Sequence, residues 1–241
     1  MVITSLDNQK IKDVVKLQSK KYRDLTNTFV VETSHLVEEA RKAGIIKELY
    51  LVEEEFVDND NTYFVTKDVM KKMSSMECPS NVLAVCEKSN SNEIIGNKIL
   101  LLDNIQDPGN LGTIIRSSVA FNVDTIILSP DTVDLYNPKV IRSSEGMFCH
   151  INIITMDLEE AINIIKSKGI SVYGTNVNDG VDVRSLDNTS SYALIMGNEG
   201  SGVRENIQAL CDKNLYISMN SKAESLNVGV ACSILLYELG R

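Results

Sequence analysis

Three stretches of the chain carry residue types that could do chemistry. Ile195-Met196-Gly197-Asn198-Glu199-Gly200-Ser201-Gly202 runs an apolar strand into a glycine-rich turn. Ser225-Leu226-Asn227-Val228-Gly229-Val230-Ala231 opens an apolar helix with Ser225 and Asn227 at its mouth. Asp103-Asn104-Ile105-Gln106-Asp107-Pro108-Gly109-Asn110-Leu111-Gly112 leads into a helix that bears Arg116. Polar groups at the ends of buried elements cost stability unless they are satisfied or used. Glycines let a backbone approach a ligand closely. Pro108-Gly109 reads as a turn and Asn110 as a helix N-cap. Arg116 reads either as a guanidinium fork for a phosphate or carboxylate, or as a long stem covering apolar surface. Glu199, set between glycines, is expected to be solvated or to face a ligand. Ser225 reads either as the cap of the last helix, with Asn227 at its second position, or as part of a site.

The patterns also exclude chemistry. The Gly197–Gly202 turn has neither the Gly-Lys-Ser/Thr of a phosphate loop nor the Gly-x-Gly-x-x-Gly of a dinucleotide fold. His35 and His150 are the only histidines, and Cys78, Cys86, Cys149, Cys211 and Cys232 are scattered, so no metal site is expected. An odd set of scattered cysteines fits reduced thiols and a cytoplasmic location. No apolar run approaches the roughly 20 residues of a membrane span. A net charge of −9 argues against nonspecific nucleic-acid binding. The charge is uneven, however: residues 1–25 hold six basic and three acidic side chains. Lys10, Lys20, Lys21 and Arg23 are candidates for phosphate contact, with a solvated helix face as the alternative.

These residues need elements to position them. Before the polar stretch that follows Cys86, short helices (7–20, 34–43, 67–75) alternate with short strands (29–31, 49–52, 63–65, 82–86), a small α/β domain. We place that domain at 1–88, a linker at 89–97 and a second domain at 98–241. In the second domain, apolar strands at 99–102, 125–128, 151–154, 170–173, 193–196 and 215–217 alternate with helices at 110–121, 158–168, 203–210 and 227–239. Continuously apolar strands between helices predict a mostly parallel sheet covered on both faces. Ligands of such sheets sit at the carboxyl ends of strands, where all three stretches fall.

In this order and spacing the three stretches resemble the motifs of the SpoU (TrmH-like) RNA ribose 2′-O-methyltransferases of the SPOUT class. The first motif spans Asp107–Gly112 through Arg116, the second Met196–Gly200, and the third Ile217-Ser218-Met219 with Ser225–Val228. Residues 29–52 resemble the L30e-like substrate-binding domain found in that family. Thr33 stands where the family usually has Gly, and Ser143-Ser144-Glu145-Gly146 where many relatives have Ser-Ala-Gly-Ala. The resemblance implies S-adenosylmethionine as methyl donor, an RNA substrate, ribosomal RNA above transfer RNA, a homodimer and a C-terminal trefoil knot. It places the donor against Thr175, Gly197, Ile217, Met219 and Leu226, and implies that Arg116, Asn110, Glu199, Ser225 and Asn227 serve catalysis. A noncatalytic RNA-binding ribosome-assembly factor on the same fold is the rival reading.

Overall fold

The computed structural model describes residues 2–52, 61–177, 180–186 and 190–240. The chain begins β1 (Val2–Ile3), α1 (Gln9–Lys16), α2 (Lys20–Thr26), β2 (Thr28–Glu32), α3 (Ser34–Lys42), β3 (Ile46–Leu51), β4 (Thr62–Val65), α4 (Lys67–Met73) and β5 (Val82–Glu87). It continues β6 (Lys98–Leu102), α5 (Pro108–Ala120), β7 (Thr125–Leu128), α6 (Pro138–Ser143), β8 (Asn152–Thr155), α7 (Leu158–Ser167) and β9 (Val172–Thr175). The remainder is β10 (Val181–Asp182), β11 (Tyr192–Met196), α8 (Glu205–Gln208), β12 (Lys213–Tyr216) and α9 (Val228–Leu239). Two compact units result: residues 1–90 with 134–149, and residues 91–133 with 150–241.

The first unit holds a five-stranded mixed sheet in the order β1-β4-β3-β5-β2. Ile11, Val14 and Leu17 of the α1 region bury against Tyr50, Val65, Val69, Met70 and Leu83. The helix expected over 7–20 is shorter, α1 ending at Lys16, and a second helix, α2, begins at Lys20. The break has a cause: Arg23 Nη1 donates to the carbonyls of Leu17 and Gln18, each at 2.8 Å. Arg23 Nη2 donates to Asp134 at 2.5 Å, and the side chain is buried. Arg23 therefore holds a chain reversal and is not available to RNA phosphate, which corrects its place among the candidate contacts. Asp134 comes from the segment 134–149, which the sequence places in the other domain. Tyr136 and Phe148 of that segment pack on Phe29, with ring centroids at 4.6 and 5.7 Å. At the other end of the expected linker, Ile95 N–H and C=O both bond to the Thr125 hydroxyl, and Asp124 accepts from the N–H groups of Asn97 and Lys98. Residues 94–97 are thus bound into the second unit.

The second unit is a seven-stranded sheet in the order β10-β12-β9-β11-β6-β7-β8, every adjacent pair parallel. The α/β class and the mostly parallel sheet are borne out. On one face Ile99, Leu101, Ile127, Ile154, Ala193 and Ile195 meet Leu158, Ala161, Ile162 and Ile165 of α7 and Ile207 of α8. Leu100, Leu102, Ile126, Leu194 and Tyr192 alternate to the opposite face and are fully buried as well. The helices α5 and α9 bury apolar sides of their own, Leu111, Ile114 and Ile115 on one and Cys232, Leu235 and Leu236 on the other. The two helices run parallel and in register. Ser117 Oγ lies 2.6 Å from Ser233 Oγ, Thr113 faces Gly229, and Phe121 meets Tyr237, all at one constant residue offset.

Three non-glycine residues of the first unit have positive φ, Asn27 at the end of α2 (+53°) among them. Thr33 has φ +86° and Glu145 φ +50°. Thr33 caps α3, accepting from Leu36 N–H at 3.4 Å, yet its β-branched side chain occupies a region that glycine alone tolerates. Thr33→Gly forfeits that long capping bond, worth a few tenths of a kcal/mol, and relieves about 1–3 kcal/mol of strain. After the extra flexibility of glycine in the unfolded chain is counted, the variant is expected to be about 1 kcal/mol more stable. Chemical denaturation would show a raised midpoint; a lowered midpoint would refute the strain.

Candidate active site

The loops after β6, β11 and β12 converge with the start of α9 at the carboxyl ends of the central strands. Asp107 is the N-cap of α5, its carboxylate accepting from Gly109 N–H (2.7 Å) and Asn110 N–H (3.0 Å), with Pro108 at the first helical position. This corrects the expectation that Asn110 caps the helix. An Asp-Pro pair is itself a cap signal, since proline is favoured just inside a helix start. Freed from capping, the Asn110 side chain turns outward: Nδ2 donates to Glu199 Oε1 at 2.9 Å, and Oδ1 accepts from Asn227 Nδ2 at 2.9 Å. Asn227, not Ser225, caps α9, accepting from Gly229 N–H (3.0 Å) and Val230 N–H (3.3 Å). The amide orientations form one consistent chain running from the α9 amides through Asn227 and Asn110 to Glu199.

Glu199 also accepts from Asp107 N–H at 3.1 Å and Gln106 N–H at 3.2 Å. It is exposed but committed on both oxygens. Partial burial pushes its carboxyl up, but the Asn110 amide and the Asp107 and Gln106 N–H groups outweigh that, so its pKa lies below the ordinary glutamate value. Two further ties join the same loops. Asn198 Nδ2 donates to Asn104 C=O at 2.8 Å. The fully buried Asp103 carboxylate accepts from Arg204 N–H (2.9 Å), Nε (2.7 Å) and Nη2 (2.7 Å). Asn198, Asp103 and Arg204 were not singled out in the sequence; their partners lie about a hundred residues away, and only the fold brings them together. Gly197 is required here, because a Cβ on it would lie 2.1 Å from Gly202 C and 2.2 Å from Val203 N.

Beside this knot of hydrogen bonds lies a cavity of about 410 Å³. Thr175, Gly197, Ile217, Met219 and Leu226, the expected donor-binding residues, all line it, as do Glu199, Ser225 and Asn227. The Thr175 hydroxyl donates to Ile195 C=O at 2.9 Å, so it offers a ligand only lone pairs. Asn110 and Arg116 are not on the lining. Among the described residues, the backbones of Ile217, Met219, Ser225 and Leu226 make no hydrogen bond. Unpaired N–H and C=O groups over apolar walls such as Met196, Leu215 and Leu235 suit a flat heterocycle with a polar edge. The residues present therefore fit S-adenosylmethionine. Among the described residues, no cluster of three or more His, Cys, Asp or Glu could hold a metal ion, and no helix is long and apolar enough to cross a membrane.

Arg116 sits on α5 beside the seam with α9. It is exposed and has no hydrogen-bond or ion-pair partner among the described residues. In the first unit, Lys20 and Lys21 are likewise exposed and make no hydrogen bond or close ion pair among the described residues, although the Lys20 charge helps hold the Asp24 carboxyl below its ordinary range. Lys10 is engaged with Glu48 at 2.9 Å and lies over the Tyr63 ring at 4.2 Å.

Residues 97–237 match the SpoU rRNA Methylase family, and residues 8–84 match the MRM3-like substrate binding domain. The chain belongs to the SpoU rRNA methylase family. A curated relative, the 23S rRNA (guanosine(2553)-2′-O)-methyltransferase RlmP of Bacillus subtilis, is 40% identical over 98% of both chains. The AdoMet-bound rRNA methyltransferase of Sinorhizobium meliloti superposes with a TM-score of 0.89 at 30% identity, covering 99% of this chain and 97% of that one. A putative TrmH-family RNA methyltransferase of Porphyromonas gingivalis gives 0.89 at 28% identity, covering 98% of each. The expectation of an S-adenosylmethionine-dependent RNA ribose methylase is borne out.

Glu199→Gln would place an NH₂ against N–H donors and leave the loop donors short of acceptors, costing about 1–3 kcal/mol near neutral pH. Because the folded pKa of Glu199 is depressed, its charged form stabilises the fold above the unfolded value of about 4.3. That contribution fades as pH falls through the folded value. The stability gap between wild type and Glu199→Gln, measured by urea unfolding at pH 7 and in mild acid, should narrow in acid. A constant gap would remove the carboxylate charge from the account.

Proposed function

We propose that this methylase modifies a guanosine ribose 2′-OH of 23S rRNA, the substrate named for its Bacillus subtilis relative. The similarity runs through both units, which supports extending the reading from the chemistry to the choice of substrate. The observation that carries the mechanism is a separation of roles: Asn110, Glu199 and Asn227 are hydrogen-bonded to one another and to loop and helix N–H groups, whereas Arg116 is exposed and has no hydrogen-bond or ion-pair partner among the described residues. S-adenosylmethionine bound in the cavity supplies an electrophilic methyl group. The chain supplies position. Asn227, Asn110 and Glu199 fix the start of α5 against the cavity, and so fix the helix that presents Arg116. A guanidinium stays protonated, with a pKa of about 12.5 or more, so Arg116 acts as a fork on an RNA phosphate. That grip orients the adjacent 2′-OH, and a phosphate oxygen is the acceptor of its proton. Ser225, with an unbonded hydroxyl at the cavity, is free to meet the ribose or the donor.

The remaining assignments are part of the same proposal. The protein works in the cytoplasm as a homodimer, and its second unit carries the family's trefoil knot. Support for the dimer comes from the seam of α5 and α9, where Val230 is 46% and Tyr237 59% exposed beside Arg116. Apolar side chains along one helix face are the composition of a self-association surface. The first unit takes RNA through Lys20 and Lys21, with Lys10 held back by its ion pair and Arg23 buried.

Arg116→Ala should lower methyl transfer to unmodified 23S rRNA by a factor of 100 or more, on the order of 3 kcal/mol of transition-state stabilisation, while donor binding by calorimetry is retained. Mapping of 2′-O-methyl groups should place the modification on one guanosine. Near-normal turnover by the variant would remove Arg116 from the mechanism. The double variant Lys20→Glu, Lys21→Glu should weaken RNA binding by about tenfold and flatten its salt dependence, leaving donor affinity unchanged. An unchanged salt slope would take these lysines out of the RNA contact.

A further inference from the structure

The first unit contains a second cavity, of about 410 Å³. Its floor is apolar, formed by Val14, Leu17 and Val85, each nearly fully buried. Its polar groups are arranged with a bias. The Thr26 hydroxyl donates to Tyr22 C=O at 2.8 Å, so the hydrogen in its 2.7 Å contact with the Thr28 hydroxyl belongs to Thr28. Both hydroxyls have thereby spent their only proton and present lone pairs alone. Glu48 and Asp13 also line the cavity, and their carboxylates are acceptors only; one Glu48 oxygen accepts from Lys10 and the other from the Tyr50 hydroxyl at 2.7 Å, which leaves each a further lone pair. Cations stand beside these acceptors: Lys47, half exposed and 3.8 Å from Glu87, and Lys10, bonded to Glu48. Thr26 is the last residue of α2, the helix that carries the exposed Lys20 and Lys21.

We propose that this cavity is a socket for an unstacked guanine of the RNA substrate. The floor takes the face of the base. The acceptor wall of Thr26, Thr28 and Glu48 takes the N1–H and the exocyclic amino group, and Lys47 faces the O6 acceptor. Uracil, with one N–H and two carbonyls, matches this wall worst. Single-stranded bases splayed from the helix are the elements that proteins read in RNA by such edges. The carboxylates repel phosphate, so the backbone stays outside along α2 while the base enters. The inference rests on the RNA-methylase reading and assigns to the substrate-binding unit a base-specific contact.

Two seven-nucleotide RNAs test it, one of uridines only and one with a single central guanosine, titrated against the full-length protein by fluorescence anisotropy. The guanosine strand should bind about fivefold to tenfold tighter. Thr28→Val, which is isosteric and removes the acceptor together with its bond to Thr26, and Lys47→Ala should each bring the two strands to within about twofold, with the protein folded at the temperature of the titration and donor affinity unchanged. Equal affinity for both strands, no binding of either at millimolar concentration, or a preference that survives both substitutions would overturn the proposal. Failure of the wild-type protein to methylate 23S rRNA would sink the functional reading instead, and is scored in a separate assay.

Discussion

The arrangement of the second unit depends on one carboxylate being kept charged and fully engaged. Glu199 accepts from two backbone N–H groups and one amide, all on the loop and first turn that follow β6. Through Asn110 and Asn227 the same chain of hydrogen bonds ends on the first amides of α9. Three loops that are far apart in sequence are thus held as one rim. Charge-assisted bonds of this kind are stronger than neutral ones, and an acceptor shared among several donors is costly to lose. The cavity keeps its shape because its edge is cross-linked in this way, not because its walls are bulky.

The division of labour between the units follows from composition. The second unit places an acidic, glycine-rich rim over a parallel sheet, and its chemistry is local to strand ends. In the first unit, exposed lysines gather on α2 around a small mixed sheet. An acidic chain can therefore engage a polyanion, because affinity is set by where cations stand, not by net charge.

Much of this was legible in the amino-acid sequence where apolar periodicity is strong. The strands at 99–102 and 193–196 are continuously apolar because the sheet buries both faces, and the residues lining the cavity at the strand ends follow from the glycine and polar residues placed there. Other features were hidden for physical reasons. Asn110 and Ser225 each read as a cap, yet Asp107, ahead of a proline, caps α5 and Asn227 caps α9. Arg23 reads as one more surface cation until the carbonyls of Leu17 and Gln18 and the distant Asp134 are found waiting for it. The six-residue α6 is too short to show a period, and the return of 134–149 to the first unit is a tertiary event that no local pattern records.

The in-register seam between α5 and α9 has a consequence for how this chain can change. A Cβ on Gly229 would lie 3.1 to 3.2 Å from Thr113, and the serine pair one turn further on is in direct contact. The bulk at these facing positions is therefore a single shared quantity: what one helix adds, the other must give up. Since Asn227 sits at the head of α9 and Asn110 near the head of α5, any drift of the two rods apart would be read out first as a lengthened amide contact between them. Sequence drift along the seam is in this sense tied to the hydrogen-bonded rim that Asn110 and Asn227 join.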